Sequence, residues 1–342
     1  LPRSGGSWAE RVDSLLEDAR GRLWARTRRD LWVAPRGEAL RPAKTPWGTA
    51  ISARAALSMN RRGGLFVPTD NGILGFDDDQ WKRMGQKEGL PVEWTRDVLE
   101  DREGSLWVAS LGVHRLLGRG AWLAYTAREG LPSEVAWTFH RDREGRLWIG
   151  TDKGLARGSQ RGWEVLRGPE RPVVRSVAED REGRLCLAGS PVEVLRVDPR
   201  TGRVERYGRE AGLSGRRIFR LVFDRGGNLW VATDGGGLLM APALGRGPLR
   251  FTRVDLPGGR AGEYVSGLAL DAQGRLWASG DSGLAVLDGG QWRRFTDRDG
   301  LVQTHVAYTL PTRKGELYIA YFEAAGLTVA RYEGGRLKVG PA

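Results

Sequence analysis

A chain of 342 residues with 50 Gly, 14 Trp, a single Cys and a formal net charge of +12 combines many tight turns with short, bulky apolar segments, an all-β composition. Cys186 alone excludes an internal disulfide, and no stretch approaches the roughly 18 apolar residues of a membrane span. The positive charge is mostly Arg scattered through turns and strand edges, which reads as a solvated surface favouring acidic partners; nucleic acid is not an expected partner.

One unit recurs along the chain. D-x-x-G-x-L-W first stands as Asp18, Gly21, Leu23 and Trp24, and the next copy is a variant, Asn60, Gly63, Leu65 and Phe66. Full copies follow at Asp101, Gly104, Leu106, Trp107 and at Asp142, Gly145, Leu147, Trp148. A second variant, Asp180, Gly183, Leu185, Cys186, precedes full copies at Asp224, Gly227, Leu229, Trp230 and at Asp271, Gly274, Leu276, Trp277. Thr312, Gly315, Leu317 and Tyr318 close the series. Successive leucines are separated by 42, 41, 41, 38, 44, 47 and 41 residues, the length of a four-stranded propeller blade, and no 3.6-residue apolar period accompanies them.

Each part of the unit has a physical reading. The apolar run upstream, as in Val12 to Leu16, Val173 to Ala178 or Tyr264 to Leu270, is an inner strand A expected to be buried on both faces. The Asp accepts backbone amides of the following turn, and the Gly supplies a positive φ. Leu-Trp opens strand B, whose aromatic wedges between neighbouring blades. A B–C turn such as Thr151 to Gly154 leads to strand C, and an outer strand D carries Trp81, Trp122, Trp163, Tyr207, Phe251 or Trp292. Gly-Leu steps at Gly89-Leu90, Gly130-Leu131, Gly212-Leu213 and Gly300-Leu301 lead to the next strand A, each Leu plugging an interblade gap. The expected fold is one closed all-β propeller of four-stranded antiparallel blades. Eight blades lie near 11–50, 51–91, 92–132, 133–172, 173–214, 215–259, 260–302 and 303–342; seven blades plus a docked or swapped unit is the alternative.

The pattern E-D-x-x-G-x-L-W-[VI]-[AG], carried by Glu100 to Ala109 and again from Asp142 through Thr151 to Leu155, resembles the two-component regulator propeller repeat. That resemblance implies an extracytoplasmic, periplasmic sensor region of a bacterial membrane-anchored signalling protein such as a hybrid histidine kinase or diguanylate cyclase. An output domain would then lie elsewhere in the polypeptide, and the expected partner is a small molecule, a glycan or an envelope protein. The chain starts at Leu1 and not Met, as a piece of a longer protein would.

Enzymatic signatures are missing from the sequence. His114, His140 and His305 have no metal-ligand spacing, there is no nucleophile elbow, Walker loop or dinucleotide fingerprint, and no cofactor is expected. Asp77, Asp78 and Asp79 read as an exposed turn. A binding site should form where D–A and B–C loops meet. Those places give Trp94, Trp137, Arg175, Arg217, Phe219, Tyr264, His305 and Tyr308 from the starts of strands A, and Asp152, Asp234 and Asp281 from B–C turns, with Asp70 and Lys153 beside them. Aromatic rings beside Asp and Arg suit a sugar or a peptide. A protein-interaction scaffold without small ligand is an alternative. So is a lyase, for which His305 alone is suitably placed.

Overall fold

The structure, a computed structural model, describes residues 12–35, 38–50, 55–92, 94–118, 121–159, 162–166, 172–243, 247–260, 262–323 and 326–340. Its strands form eight four-stranded antiparallel sheets, each in simple sequence order, so the fold is an all-β, eight-bladed propeller. The chain divides into two compact units, Val12–Arg171 and one containing Pro172–Ala342.

In the first unit, blade 1 is β1 (Ser14–Glu17), β2 (Leu23–Arg26), β3 (Leu31–Ala34) and β4 (Arg41–Pro42). Blade 2 is β5 (Ser58–Met59), β6 (Leu65–Thr69), β7 (Gly72–Asp77) and β8 (Gln80–Met84). Blade 3 is β9 (Asp97–Glu100), β10 (Leu106–Ser110), β11 (Gly112–Gly118) and β12 (Ala121–Tyr125). Blade 4 is β13 (Ala136–Arg141), β14 (Leu147–Thr151), β15 (Gly154–Ser159) and β16 (Gly162–Val165). In the second unit, blade 5 is β17 (Val173–Glu179), β18 (Leu185–Ser190), β19 (Val194–Val197) and β20 (Val204–Tyr207). Blade 6 is β21 (Ile218–Phe223), β22 (Leu229–Thr233), β23 (Leu238–Ala241) and β24 (Thr252–Val254). Blade 7 is β25 (Val265–Leu270), β26 (Leu276–Gly280), β27 (Gly283–Asp288) and β28 (Gln291–Phe295). Blade 8 is β29 (Val306–Pro311), β30 (Glu316–Tyr321), β31 (Leu327–Glu333) and β32 (Arg336–Val339).

The repeat Asp does more than its turn requires. Its Oδ1 accepts backbone amides, as Asp142 does from Arg146 at 2.8 Å. Its Oδ2 accepts the indole N–H of the Trp six residues on: Trp24–Asp18 at 2.9 Å, Trp107–Asp101 at 2.8 Å, Trp148–Asp142 at 2.8 Å, Trp230–Asp224 at 2.7 Å and Trp277–Asp271 at 3.0 Å. In blades 1, 4, 5 and 7 an Arg four residues after the Asp adds a 2.6 Å contact from its Nε. Buried Trp has one donor to satisfy, and here the turn supplies its acceptor. Across the interblade gap the ring meets another edge to face: Trp24 with Trp81 and Trp107 with Trp163, both at 5.8 Å, Trp230 with Trp292 at 5.7 Å, and Trp277 with Tyr332 at 5.5 Å.

Strand A departs from expectation. The fully buried strands are B, as in Leu106–Ser110, Leu147–Thr151 and Leu229–Thr233, whereas β13, β17, β21 and β29 each bury only one or two positions and leave the rest half-buried or exposed. Strand A is the edge strand of its sheet, so one side of its backbone has no strand to cover it; an apolar run alone does not distinguish edge from centre.

The Gly-Leu step also contains an element that the sequence reading lacked. A single 3-10 turn precedes it at Gln86–Glu88, Ala127–Glu129, Arg209–Ala211 and Asp297–Asp299. The following Gly adopts φ between 88° and 97°, a left-handed conformation that glycine adopts without penalty. Leu90, Leu131, Leu213 and Leu301 are then buried as gap-fillers. The acidic run is a hairpin turn between β7 and β8, with Asp78 and Asp79 paired to Arg20 and Asp79 also to Arg22. His114 is buried, its Nε2 3.0 Å from the carbonyl oxygen of Leu111, and burial lowers its pKa.

A second interblade device joins strands A. The side chain four residues before the repeat Asp accepts the next blade's backbone: Ser14 Oγ from Leu57 N at 3.0 Å, Asp97 Oδ2 from Phe139 N at 3.2 Å, and Ser176 Oγ from Leu221 N at 3.2 Å. In blade 3 this acceptor is therefore a carboxyl group, and its enclosure raises the Asp97 pKa to about 6 against the opposing effect of the Phe139 and Val98 amides.

Candidate functional site

The predicted residues occupy fixed places in the repeat. Seven positions before the repeat Asp stand Trp94, Arg217, Tyr264 and His305; five before it stand Trp137, Arg175 and Phe219; ten after it stand Asp152, Asp234 and Asp281. Backbone hydrogen bonds tie the first and third places of the repeat together in blades 4, 6 and 7. Asp234 N donates to Arg217 O at 3.0 Å, Asp281 N to Tyr264 O at 3.0 Å, and Asp152 N to Val135 O at 3.2 Å. The B–C turn and the entry to strand A thus form one end of each blade, opposite the Asp–Trp lock.

Trp137, Arg175 and Phe219 are each the extra residue of a β-bulge, skipped in the pairing of β13 with β14, β17 with β18 and β21 with β22. A bulge re-aims the side chain that it carries. Trp137 and Phe219 are half-buried here and Arg175 is exposed.

In the unit containing blades 5 to 8, four rings join in series. Phe219 lies 4.8 Å from Tyr264, Tyr264 lies 5.3 Å from Phe322, and Phe322 lies 4.3 Å from His305, centroid to centroid. The Arg217 guanidinium sits 5.0 Å above the Phe219 ring. Its Nε is 3.2 Å from Asp234 Oδ2, while Arg216 holds Asp234 Oδ1 at 2.7 Å. Buried Asp234 is thereby charge-compensated and fixes Arg217, whose side chain remains 52% exposed. Asp281 Oδ1 receives the Tyr264 amide at 3.3 Å. The rings are all half-buried.

Sequence reasoning missed Phe322. It occupies the B–C turn place that is Asp152, Asp234 or Asp281 in other blades, and its N–H donates to His305 O at 3.1 Å. Tyr308 does not join the run: it lies within β29 opposite Ala320, at the strand-A place of Asp97 and Ser176.

In the unit containing blades 1 to 4 the arrangement is smaller. Arg96 lies between two indoles, its guanidinium carbon 4.6 Å from the Trp94 centroid and 3.9 Å from that of Trp137. Arg96 also escaped the sequence reading, although it stands five residues before Asp101, the place of Trp137 in the next repeat. Asp152 Oδ1 is buried and meets no hydrogen-bond partner among the described residues. Asp70 and Lys153 stay at their B–C turns. Among the described residues no group of His, Cys, Asp and Glu is arranged to hold a metal ion, and no helix is long and apolar enough to cross a membrane.

A propeller repeat locked by Asp and Trp at one end, with variable aromatic and charged residues at the other, defines the class. Two component regulator propeller repeats match at residues 130–153 and 212–235, each running from the Gly-Leu step through the Asp–Trp lock to the B–C turn, and the chain carries repeats of that family. It is similar to the extracellular domain of the hybrid two component system BT3049 from B. thetaiotaomicron, at 17% identity and a TM-score of 0.59 over 93% of this chain and 51% of that one. A second such domain, BT4673 from the same organism, has 18% identity and a TM-score of 0.56 over 98% and 52%. Virginiamycin B lyase from Staphylococcus aureus shares the fold at 12% identity and a TM-score of 0.57, over 80% of this chain and 92% of that one. The chain thus spans about half the length of the two sensor structures. No curated protein sequence matches it.

Proposed function

We propose that this chain is the ligand-receiving extracytoplasmic propeller of a bacterial signal-transduction protein, and that it takes a sugar-containing ligand on the Phe219–Tyr264–Phe322–His305 run. The repeats at 130–153 and 212–235 and the likeness to extracellular domains of two-component systems support the sensor role. The ring run carries the ligand reading. Four half-buried rings with centroids 4.3 to 5.3 Å apart offer a strip on which the apolar face of a sugar stacks. Arg217 and Asp281, at its margin, fix hydroxyl or acidic substituents. Arg216 holds Asp234 together with Arg217, so that Arg217 is not spent on Asp234 alone.

Titration of the protein with an oligosaccharide panel by calorimetry tests this. At least one oligosaccharide should bind saturably, and Tyr264→Ala and Phe322→Ala should each weaken it tenfold or more, about 1.4 kcal/mol, with melting temperature little changed because both rings are half-exposed. Saturable binding that both variants leave intact would refute the site. Absence of glycan binding, with capture of a protein partner that depends on the same rings, would favour an interaction platform. Turnover of a bound glycan that His305→Ala abolishes would favour a lyase.

A further inference from the structure

Each blade ends on an outer strand that has a neighbour on one side only. Such an edge is a template for a strand of another chain unless charge or Pro blunts it. Seven of the eight outer strands carry at least one Arg, Lys or Glu, as Lys82 and Arg83 do on β8 or Arg293 and Arg294 on β28. The exception is β12, Ala-Trp-Leu-Ala-Tyr, which has neither charge nor Pro. Among the described residues no backbone bond leads from Trp122, Leu123 or Ala124 to any element but β11. Apolar side chains also reach solvent here: Leu123 is 40% exposed, and Leu117, skipped at the bulge of β11, is 58% exposed.

We infer that β12 pairs antiparallel with β12 of a second copy of this chain, about a two-fold axis through Leu123, so that the two blades 3 form one continuous sheet. Two features select a second copy as the occupant. Laid antiparallel against itself about Leu123, the strand sets Trp122 opposite Ala124 on both sides of the axis, a bulky side chain facing a small one each time. The same pairing of β8 or β28 would bring Lys82 or Arg293, their central residues, against itself, and like charges directly opposite are destabilising. The second feature is the net charge of +12, which sets two copies repelling one another; their approach is least opposed at an edge that carries no charge. The contact is isologous and closes as a dimer. A pairing of five residues per copy lies at the small end of specific interfaces, so a Kd on the order of 10–100 μM is expected. The inference does not depend on the ring run of blades 6 to 8.

Sedimentation velocity at concentrations from well below to well above that Kd tests this, and the protein should pass from monomer to dimer. Leu123→Lys sets two like charges at the axis and should weaken dimerisation by about tenfold or more, as should Leu123→Glu. An equimolar mixture of the two variants should restore a dimer, with Lys opposite Glu. Val339→Lys, on the already charged β32, should leave dimerisation unchanged. A monomer at every concentration, a dimer that Leu123→Lys leaves intact, or two variants that stay monomeric when mixed would overturn the inference. So would a monomer whose β12 amides gain protection only from an added extended peptide, which would make the occupant a strand of a different chain. Amide hydrogen exchange of the parent decides the matter even where a variant does not fold: β12 amides should exchange more slowly as protein concentration rises, and exchange independent of concentration would refute the pairing.

Discussion

Truncation of Trp277 to Ala is expected to lower the unfolding free energy by about 3–5 kcal/mol, the range for removing a large buried aromatic. The side chain is 1% exposed and packs with Leu317, Ile319 and Tyr332 of the next blade, so its loss opens a void where two sheets meet. Its N–H is bonded to Asp271 Oδ2, which also binds Arg275 Nε at 2.6 Å. Trp277→Phe should therefore cost less, keeping much of the ring contact while removing one donor from a carboxylate that retains its Arg, a net effect of about 1–2 kcal/mol on hydrogen bonding. Urea unfolding of the three proteins measures both differences. Equal stability of Trp277→Ala and the parent would mean that the interblade wedge does not hold these sheets.

Replacement of Asp97 by Ser should stabilise the protein at neutral pH and leave it nearly unchanged in acid. The Asp97 pKa is raised to about 6 because burial disfavours the carboxylate, and amide donors from Phe139 and Val98 offset this only in part. An acid with a higher pKa folded than unfolded binds more protons in the folded state. Its favourable contribution is complete below the unfolded value of 3.8 and is lost as pH rises through about 6. A shift of this size corresponds to about 2–3 kcal/mol. Asp97→Ser keeps the acceptor that Ser14 and Ser176 provide at the same place, and should gain most of that amount at pH 7.5 and little at pH 4. Unfolding curves at the two pH values test this; a gain independent of pH would rule out the carboxylate charge as its source.

The legible parts of this molecule are those that every blade must solve alike. A sheet with two apolar faces needs a bulky residue at each interface and a tight turn before it, so Gly and Leu mark all eight copies, while Asn60 and Thr312 replace the Asp in two and Phe66, Cys186 and Tyr318 replace the Trp in three. The indole-to-Asp bond stayed hidden because both residues already had sufficient local reasons, a turn and a wedge. Strand A read as doubly buried because Val, Leu and Ile runs look alike at the edge and the centre of a sheet. At the candidate site, residues taken for their type at the starts of strands A gave Arg217, Phe219, Tyr264 and His305, which the structure brings together with Phe322. Arg96 and Phe322 were recoverable by counting from the repeat Asp, since one takes the place of Trp137 and the other that of Asp281. Counting also places Tyr308 one residue beyond the bulge, within the strand and apart from the ring run.

Because the lock sits at the A–B turn and the aromatic strip at the B–C turn of the same blades, strand B separates the two by its own length. Substitutions at Phe219, Tyr264 or Phe322 leave every Asp–Trp pair untouched. The side chains at one end of a blade can therefore change chemically without loosening the contacts by which the blades hold together.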